Sequence, residues 1–288
     1  MKAAPTWLNT PFLSFTFQSQ FFGFSAAQPF LAHNDVAPSL TLTHRSTRLL
    51  SNAGVFMALV DPDSSYDNPD YVEVIIVRHG ETAWNADGRI QGHLDVELND
   101  AGRQQAAAVA DRLSKEPNIS AIYSSDLKRA LETAEIIATG CGGLEVIKDT
   151  GLRERHLGDL QGLVFRDAMK VCPEAYEAFV SPRKDQEIPG GGESRDQLYQ
   201  RCTSSLRGIG RKHKGQRMIL VTHGGFIRTL YKWACPNEKS PGKILNTSVN
   251  VFRLADGDKW TLEVWGDVSH LEETGYLQSG FGGDRTSG

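Results

Sequence analysis

Residues 74–85 read V-I-I-V-R-H-G-E-T-A-W-N. The run of β-branched residues at 74–77 stops abruptly at Arg78-His79-Gly80. A short run that is apolar at every position is the pattern of a strand buried on both faces of a parallel sheet. Ligands of open α/β sheets bind just outside the carboxyl ends of such strands. Arg78 and His79 are therefore expected at the mouth of a cleft. An arginine beside a histidine there points to an anion site holding a nucleophile or a proton carrier.

A second apolar run, 218–221, ends in the same way, at Thr222-His223-Gly224-Gly225. Between and around the two runs, helical and strand patterns alternate. Helices are predicted over 99–115, with Asn99 as N-cap, and over 127–138, 165–171, 175–179, 193–212 and 226–234. Further strands are predicted over 119–123 and 144–147. Two more, 248–254 and 260–265, flank an Asp256-Gly257 hairpin turn. The alternation implies an α/β three-layer sandwich, with a mostly parallel central sheet and helices on both faces. Two strands ending in histidine would then bring His79 and His223 to one rim.

The chain has 288 residues, 40% hydrophobic and 23% charged, which is ordinary globular composition. Its net charge of -4 offers no broad basic surface for nucleic acid, though an arginine cluster could still bind a small anion. Cys141, Cys172, Cys202 and Cys235 are widely spaced, without zinc-ligand spacing, and read as reduced thiols. No apolar stretch is long enough to span a membrane. Residues 1–56 are hydroxyl-rich, with Asp35 as their single acidic residue, and read as an organelle transit peptide or an unstructured extension. The first reading implies a plastid or another organelle. The second, or a start at Met57, implies the cytoplasm. Residues 57–70 read as a linker, 71–274 as the folded domain with a lid-like excursion over about 155–192, and 275–288 as a mobile tail.

Phosphate chemistry suits the residues gathered at this rim. Arg78 and Arg129 offer forked donors to phosphate oxygens. His223, if protonated, and Asn85 would complete the cradle. His79 is then free to attack phosphorus as a nucleophile. Glu154, in the loop 151–162, is the natural proton donor to the leaving oxygen, and can later take a proton from the attacking water. A metal site built from His79, His223 and Glu154 is disfavoured, because the adjacent arginines would repel a cation. His93 and His270 read as surface or packing residues. Arg155 and His156 adjoin the acid and read equally as structural residues or as contacts to the non-phosphate end of a substrate.

These segments resemble the histidine phosphatase superfamily, which includes cofactor-dependent phosphoglycerate mutases. The matching segments are V-R-H-G-E-T-x-x-N at 77–85, Gln91-Gly92, L-N-D-A-G at 98–102, S-S-D-L-K-R-A at 124–130, L-R-E-R at 152–155, the P-G-G-G-E-S segment at 189–194, and V-T-H-G-G at 221–225. Within the superfamily the chain is similar to plant phosphoglycerate mutase-like proteins, some of which resemble metal-independent phosphoserine phosphatases. The resemblance implies that His79 becomes a phosphohistidine and that Glu154 is the proton donor. It implies that Arg78, Arg129 and His223 bind phosphate, with Asn85 and Gln91 beside the pocket, and that no metal or other cofactor is used. The partner it implies is a small phosphorylated metabolite. Edge strands of such a sheet could also pair in a homo-oligomer.

Two departures argue for hydrolysis over a mutase reaction. Glu154 and Glu193 are 39 positions apart, much closer than in true mutases, so a shorter lid leaves the site open to water. Leu157 stands where mutases carry a tyrosine. The expected function is therefore hydrolysis of a phosphomonoester of the phosphoserine or sugar-phosphate class. The alternatives are a phosphoglycerate mutase and a phosphate-binding protein without turnover.

Overall fold

A computed structural model describes residues 71–239, 242–255 and 259–272. The readings of 1–56, 57–70, the hairpin turn at 256–258 and the tail from 275 lie outside the described residues.

In chain order the elements are β1 (Tyr71–Arg78), α1 (Ala83–Ala86), α2 (Asp100–Leu113), β2 (Ile119–Ser124), α3 (Lys128–Gly140) and β3 (Val146–Lys148). Then come α4 (Phe165–Val171), α5 (Pro173–Val180), α6 (Arg195–Lys212), β4 (Arg217–Thr222), α7 (Gly224–Ala234), β5 (Val249–Ala255) and β6 (Lys259–Asp267). The strands form one six-stranded sheet in the order β3-β2-β4-β1-β5-β6. β3, β2, β4 and β1 run parallel, whereas β5 pairs antiparallel with β1 and β6 antiparallel with β5.

Alternate residues of β1 point to opposite faces, as a pleated strand requires. Val72, Val74 and Ile76 pack into one core with Leu198, Leu206 and Phe226 of α6 and α7. Ile75 and Val77 pack into the other with Val109, Leu113, Ala130 and Ile137 of α2 and α3. Ile76 and Val77 are fully buried, and burial at this level contributes about 1.5–3 kcal/mol per side chain. A smaller cluster, with Ile90, Leu157, Leu160, Ala175 and Ile188, gives the excursion its own anchor.

The predicted elements are present, with shifted ends. The third strand is found at Val146–Lys148 and not at 144–147. It pairs with β2 only through Ile122↔Val146, Tyr123↔Ile147 and Ser124↔Lys148, and register with the neighbour sets its limits. The long helix starts at Arg195 and not at 193, because Ser194 and Gln197 form a capping box. The short helix α1 was not foreseen; Thr82 and Asn85 cap it in the same way.

Candidate active site

β1 and β4 are neighbours, with Val77 opposite Val221 and Arg78 opposite Thr222. Two strands in this register end side by side, so His79 and His223 emerge together. The His79 N–H continues the ladder by donating to the Thr222 carbonyl at 2.9 Å. Past His79 the chain runs backbone-to-backbone against the start of α2. A Cβ on Gly80 would lie 2.5 Å from the Gly102 carbonyl oxygen, and one on Gly102 would lie 2.0 Å from that of Glu81. Both positions therefore need glycine. The Gly80 N–H also donates to Thr133 Oγ1 on α3 at 3.0 Å.

The two imidazole rings lie 5.2 Å apart between centroids, tilted by 54°. His79 Nδ1 is 2.6 Å from the Gly80 carbonyl oxygen. A carbonyl only accepts, so Nδ1 carries the hydrogen and Nε2 keeps its lone pair. Burial, then Arg129 and Arg78, hold the His79 pKa well below its ordinary value, so the ring is neutral at pH 7. His223 Nε2 is 2.9 Å from Ser125 Oγ, and its buried Nδ1 has no hydrogen-bond partner among the described residues. Burial, then Arg129 and His79, lower its pKa as well. The protonation that would let His223 complete a phosphate cradle is therefore disfavoured by burial and by the charges of Arg129 and Arg78. A phosphate dianion beside the ring would supply the opposite charge that favours protonation.

Arg78 is buried and donates from Nη1 to the Ile244 carbonyl at 2.6 Å. Arg129 is buried on α3 and turns its fork on a loop. Nη1 donates to the Leu94 carbonyl at 3.0 Å and Nη2 to that of Gly92 at 2.8 Å. Part of the fork thus orders the 92–94 loop. Burial lowers the Arg129 pKa to about 10, against opposing pulls from Glu154 and Asp95, and it stays charged at neutral pH. The Asn85 amide oxygen accepts from the Thr82 N–H and hydroxyl at 3.1 and 3.0 Å, so it also caps α1. Gln91 is buried, with Oε1 unpartnered among the described residues.

Glu154 is half-buried and accepts two backbone N–H bonds, from Arg155 at 2.8 Å and from Gly225 in the first turn of α7 at 3.0 Å. The acid therefore meets the helix that follows His223. Its loop is clamped by Arg201 of α6, which donates to the carbonyls of Gly151, Arg153 and Glu154 at 3.0, 2.9 and 3.0 Å. The same guanidinium grips both Glu193 oxygens at 2.7 Å. Glu193 in turn accepts from the His156 N–H at 2.8 Å. Among the described residues, no group of three His, Cys, Asp or Glu side chains could hold a metal ion.

A model of the histidine phosphatase superfamily, branch 1, matches residues 74–268. The chain belongs to the histidine phosphatase superfamily. It is 69% identical over 228 residues to phosphoglycerate mutase-like protein 4 of Arabidopsis thaliana, covering 78% of this chain and 99% of the relative. It is 53% identical over 215 residues to the metal-independent phosphoserine phosphatase of the same plant, covering 75% and 90%. A mutant phosphoserine phosphatase from Entamoeba histolytica, in complex with phosphoserine, superposes with a TM-score of 0.60 at 29% identity, covering 69% of this chain and 99% of the other. This histidine phosphatase is accordingly an enzyme of the phosphatase type.

The sequence reading of this histidine phosphatase missed several residues that shape the site. Ser125 orients His223. Asn246 Nδ2 donates to the His79 carbonyl at 2.9 Å, and the Thr247 N–H donates to that of Arg78 at 3.0 Å. Thr247 does so at φ 54°, a left-handed conformation that a β-branched residue seldom adopts. His93, taken for a surface or packing residue, is half-buried and lies with Nε2 2.6 Å from the Glu154 carbonyl. Nothing in the spacing of these residues marks them. Their partners come from distant loops.

Proposed function

We propose that the chain is a metal-independent phosphomonoester hydrolase that works through a phosphohistidine on His79. Its substrate is a small phosphorylated metabolite of the phosphoserine or sugar-phosphate class, in carbohydrate or amino-acid metabolism. The observation that carries this reading is the bond from His79 Nδ1–H to the Gly80 carbonyl. It leaves Nε2 unprotonated and nucleophilic, in a pocket flanked by Arg78 and Arg129.

In the first step Nε2 attacks phosphorus while the ester P–O bond breaks, and Glu154 gives its proton to the leaving oxygen. Arg78, Arg129 and His223 stabilise the charge on the phosphoryl oxygens. Asn85 and Gln91 line the pocket beside them. In the second step water attacks phosphorus, Glu154 takes its proton, and the N–P bond breaks to release inorganic phosphate. The relative described as a metal-independent phosphoserine phosphatase supports hydrolysis without a metal. The Leu157 substitution and the short excursion support it over phosphoryl return to a sugar acid.

The test is a phosphomonoester panel in EDTA that includes phosphoserine, 3-phosphoglycerate and sugar phosphates. Release of inorganic phosphate is expected. Conversion of 3- to 2-phosphoglycerate without phosphate release would instead make the chain a mutase. Binding without turnover would make it a phosphate-binding protein.

A further inference from the structure

Residues 244–248, between α7 and β5, wrap around the end of β1. The Thr247 N–H donates to the Arg78 carbonyl at 3.0 Å and lies 3.4 Å from that of His79. Asn246 Nδ2 donates to the His79 carbonyl at 2.9 Å, and the Ile244 carbonyl accepts from Arg78 Nη1 at 2.6 Å. The peptide between His79 and Gly80 is thus held at both ends, at its carbonyl by Asn246 and at its N–H by Thr133 Oγ1. The next carbonyl, that of Gly80, accepts from His79 Nδ1 and fixes the ring. A shift of the 244–248 turn would therefore pass through one peptide into the direction of the Nε2 lone pair.

Thr247 makes these bonds at φ 54°, where a β-branched residue is strained, so its place must be enforced from outside the turn. His270 supplies that contact. It lies in a single helical turn after β6, Ser269–Leu271, with Nε2 3.2 Å from Thr247 Oγ1. The Thr247 hydroxyl directs its one hydrogen to the Asn246 carbonyl at 2.8 Å, so it can only accept from the ring. Burial, then Arg112, lowers the His270 pKa to about 4, and the ring is neutral at pH 7. Its single hydrogen is therefore on Nε2, and Nδ1 turns a lone pair toward Arg112 Nη1 at 3.5 Å. Helix α2 fixes the turn that carries His270. Arg112 Nη2 donates to Asp267 Oδ2 at 2.6 Å, Asp267 Oδ1 accepts from the Ser269 N–H at 2.9 Å, and Leu271 is fully buried. The hydrogen bonds thus run in one direction, from Arg112 through His270 and Thr247 to the turn that holds the backbone of His79.

We propose that His270 is a positioning residue for His79. It acts through Thr247, by pressing the 246–247 turn onto the His79–Gly80 peptide, and has no contact with the reacting phosphate. Its effect on rate rests on the phosphomonoesterase reading. Its effect on the His79 ring does not.

The test uses the full chain and four variants: His270→Leu, His270→Gln, Thr247→Val and the double variant of the first and third. Hydrolysis of p-nitrophenyl phosphate needs little help from Glu154 and so reports on attack by His79. In His270→Leu and in Thr247→Val, kcat should fall by about tenfold, short of the roughly 10²-fold that a full ångström of misplacement can cost. KM should stay within about twofold, as expected when the loss lies in the chemical step. The double variant should be no slower than either single one, because both break one contact. His270→Gln keeps a donor beside Thr247 Oγ1 and should recover most of the rate. Nitrogen NMR of the His79 ring, assigned against His79→Ala, should show Nδ1 protonated in the unaltered chain and mixed tautomers in the two single variants. Should His270→Leu fail to fold, Thr247→Val carries the same test. An unaltered chain without turnover would overturn the hydrolase reading, and the ring signals would still decide this proposal. Wild-type kcat in either single variant overturns the proposal. So does a loss in His270→Gln as large as in His270→Leu, losses that multiply in the double variant, or wild-type ring signals in both single variants.

Discussion

The Gly225 N–H donates to Glu154 Oε2 at 3.0 Å, and the α7 backbone lies directly against the carboxylate. A Cβ at position 225 would come 2.2 Å from Glu154 Oε1. That atom is the end of a flexible side chain, so the carboxylate yields and the helix stays. Gly225→Ala should thus displace the acid while the fold persists. The rate on an alkyl phosphate should fall by about 10²-fold, within the usual range for general acid catalysis. p-Nitrophenyl phosphate, whose leaving group needs no proton, should be much less affected. Equal loss on both substrates would remove Glu154 from the role of acid.

Arg201 is a positioning residue, acting through the acid loop and through Glu193. Its side chain and that of Glu193 are only 22% and 19% exposed. Arg201→Met would leave the Glu193 carboxylate without its counter-ion and three carbonyls without their donor. The expected cost is about 2–4 kcal/mol in urea unfolding, since a largely buried pair is broken from one side. The surviving fold should show the leaving-group dependence expected of Gly225→Ala. Arg201→Lys, which keeps the charge but not the fork, should recover part of the stability. A wild-type unfolding midpoint in Arg201→Met would contradict the clamp.

The histidines set a direction for the pH dependence of stability. His79 and His223 are held well below their ordinary pKa, and His270 falls to about 4 through burial and then Arg112. A histidine depressed in the fold binds fewer protons than in the unfolded chain between its folded pKa and about 6.5. Its neutral, buried state is therefore fully tolerated above that range. Stability is lost as pH falls through it, and the lowered Asp126, Glu193 and Asp267 act in the same sense at lower pH. The urea midpoint should decline from pH 7 to pH 5, and His270→Gln should flatten part of that decline. A midpoint independent of pH over this range would show that these rings are not depressed.

How much of this was legible in the chain follows from where each signal lives. The apolar runs before Arg78 and Thr222 carry the buried strands in a handful of consecutive residues, and their abrupt ends mark the rim. Asn99 announces the start of α2 because capping is local, and its side chain does accept from the Gly102 N–H at 2.7 Å. Arg201 was illegible, since an arginine within an amphipathic helix reads as a solvated charge until its loop partners are known. The split use of the Arg129 fork was hidden for a similar reason. Sequence supplies the guanidinium, and the fold decides which of its donors meet the carbonyls of Gly92 and Leu94. Asn246 and Thr247 look like ordinary turn residues and act only because β5 lies beside β1.

The central claim is transfer of the phosphoryl group to His79 Nε2. Rapid acid-free quenching of enzyme mixed with ³²P-labelled ester, followed by peptide mapping and phosphorus NMR, tests it most directly. The account predicts label on His79, on Nε2 and not Nδ1, lost on a chase with water and absent in His79→Ala. Turnover without label on that ring, or label on another residue, would contradict it.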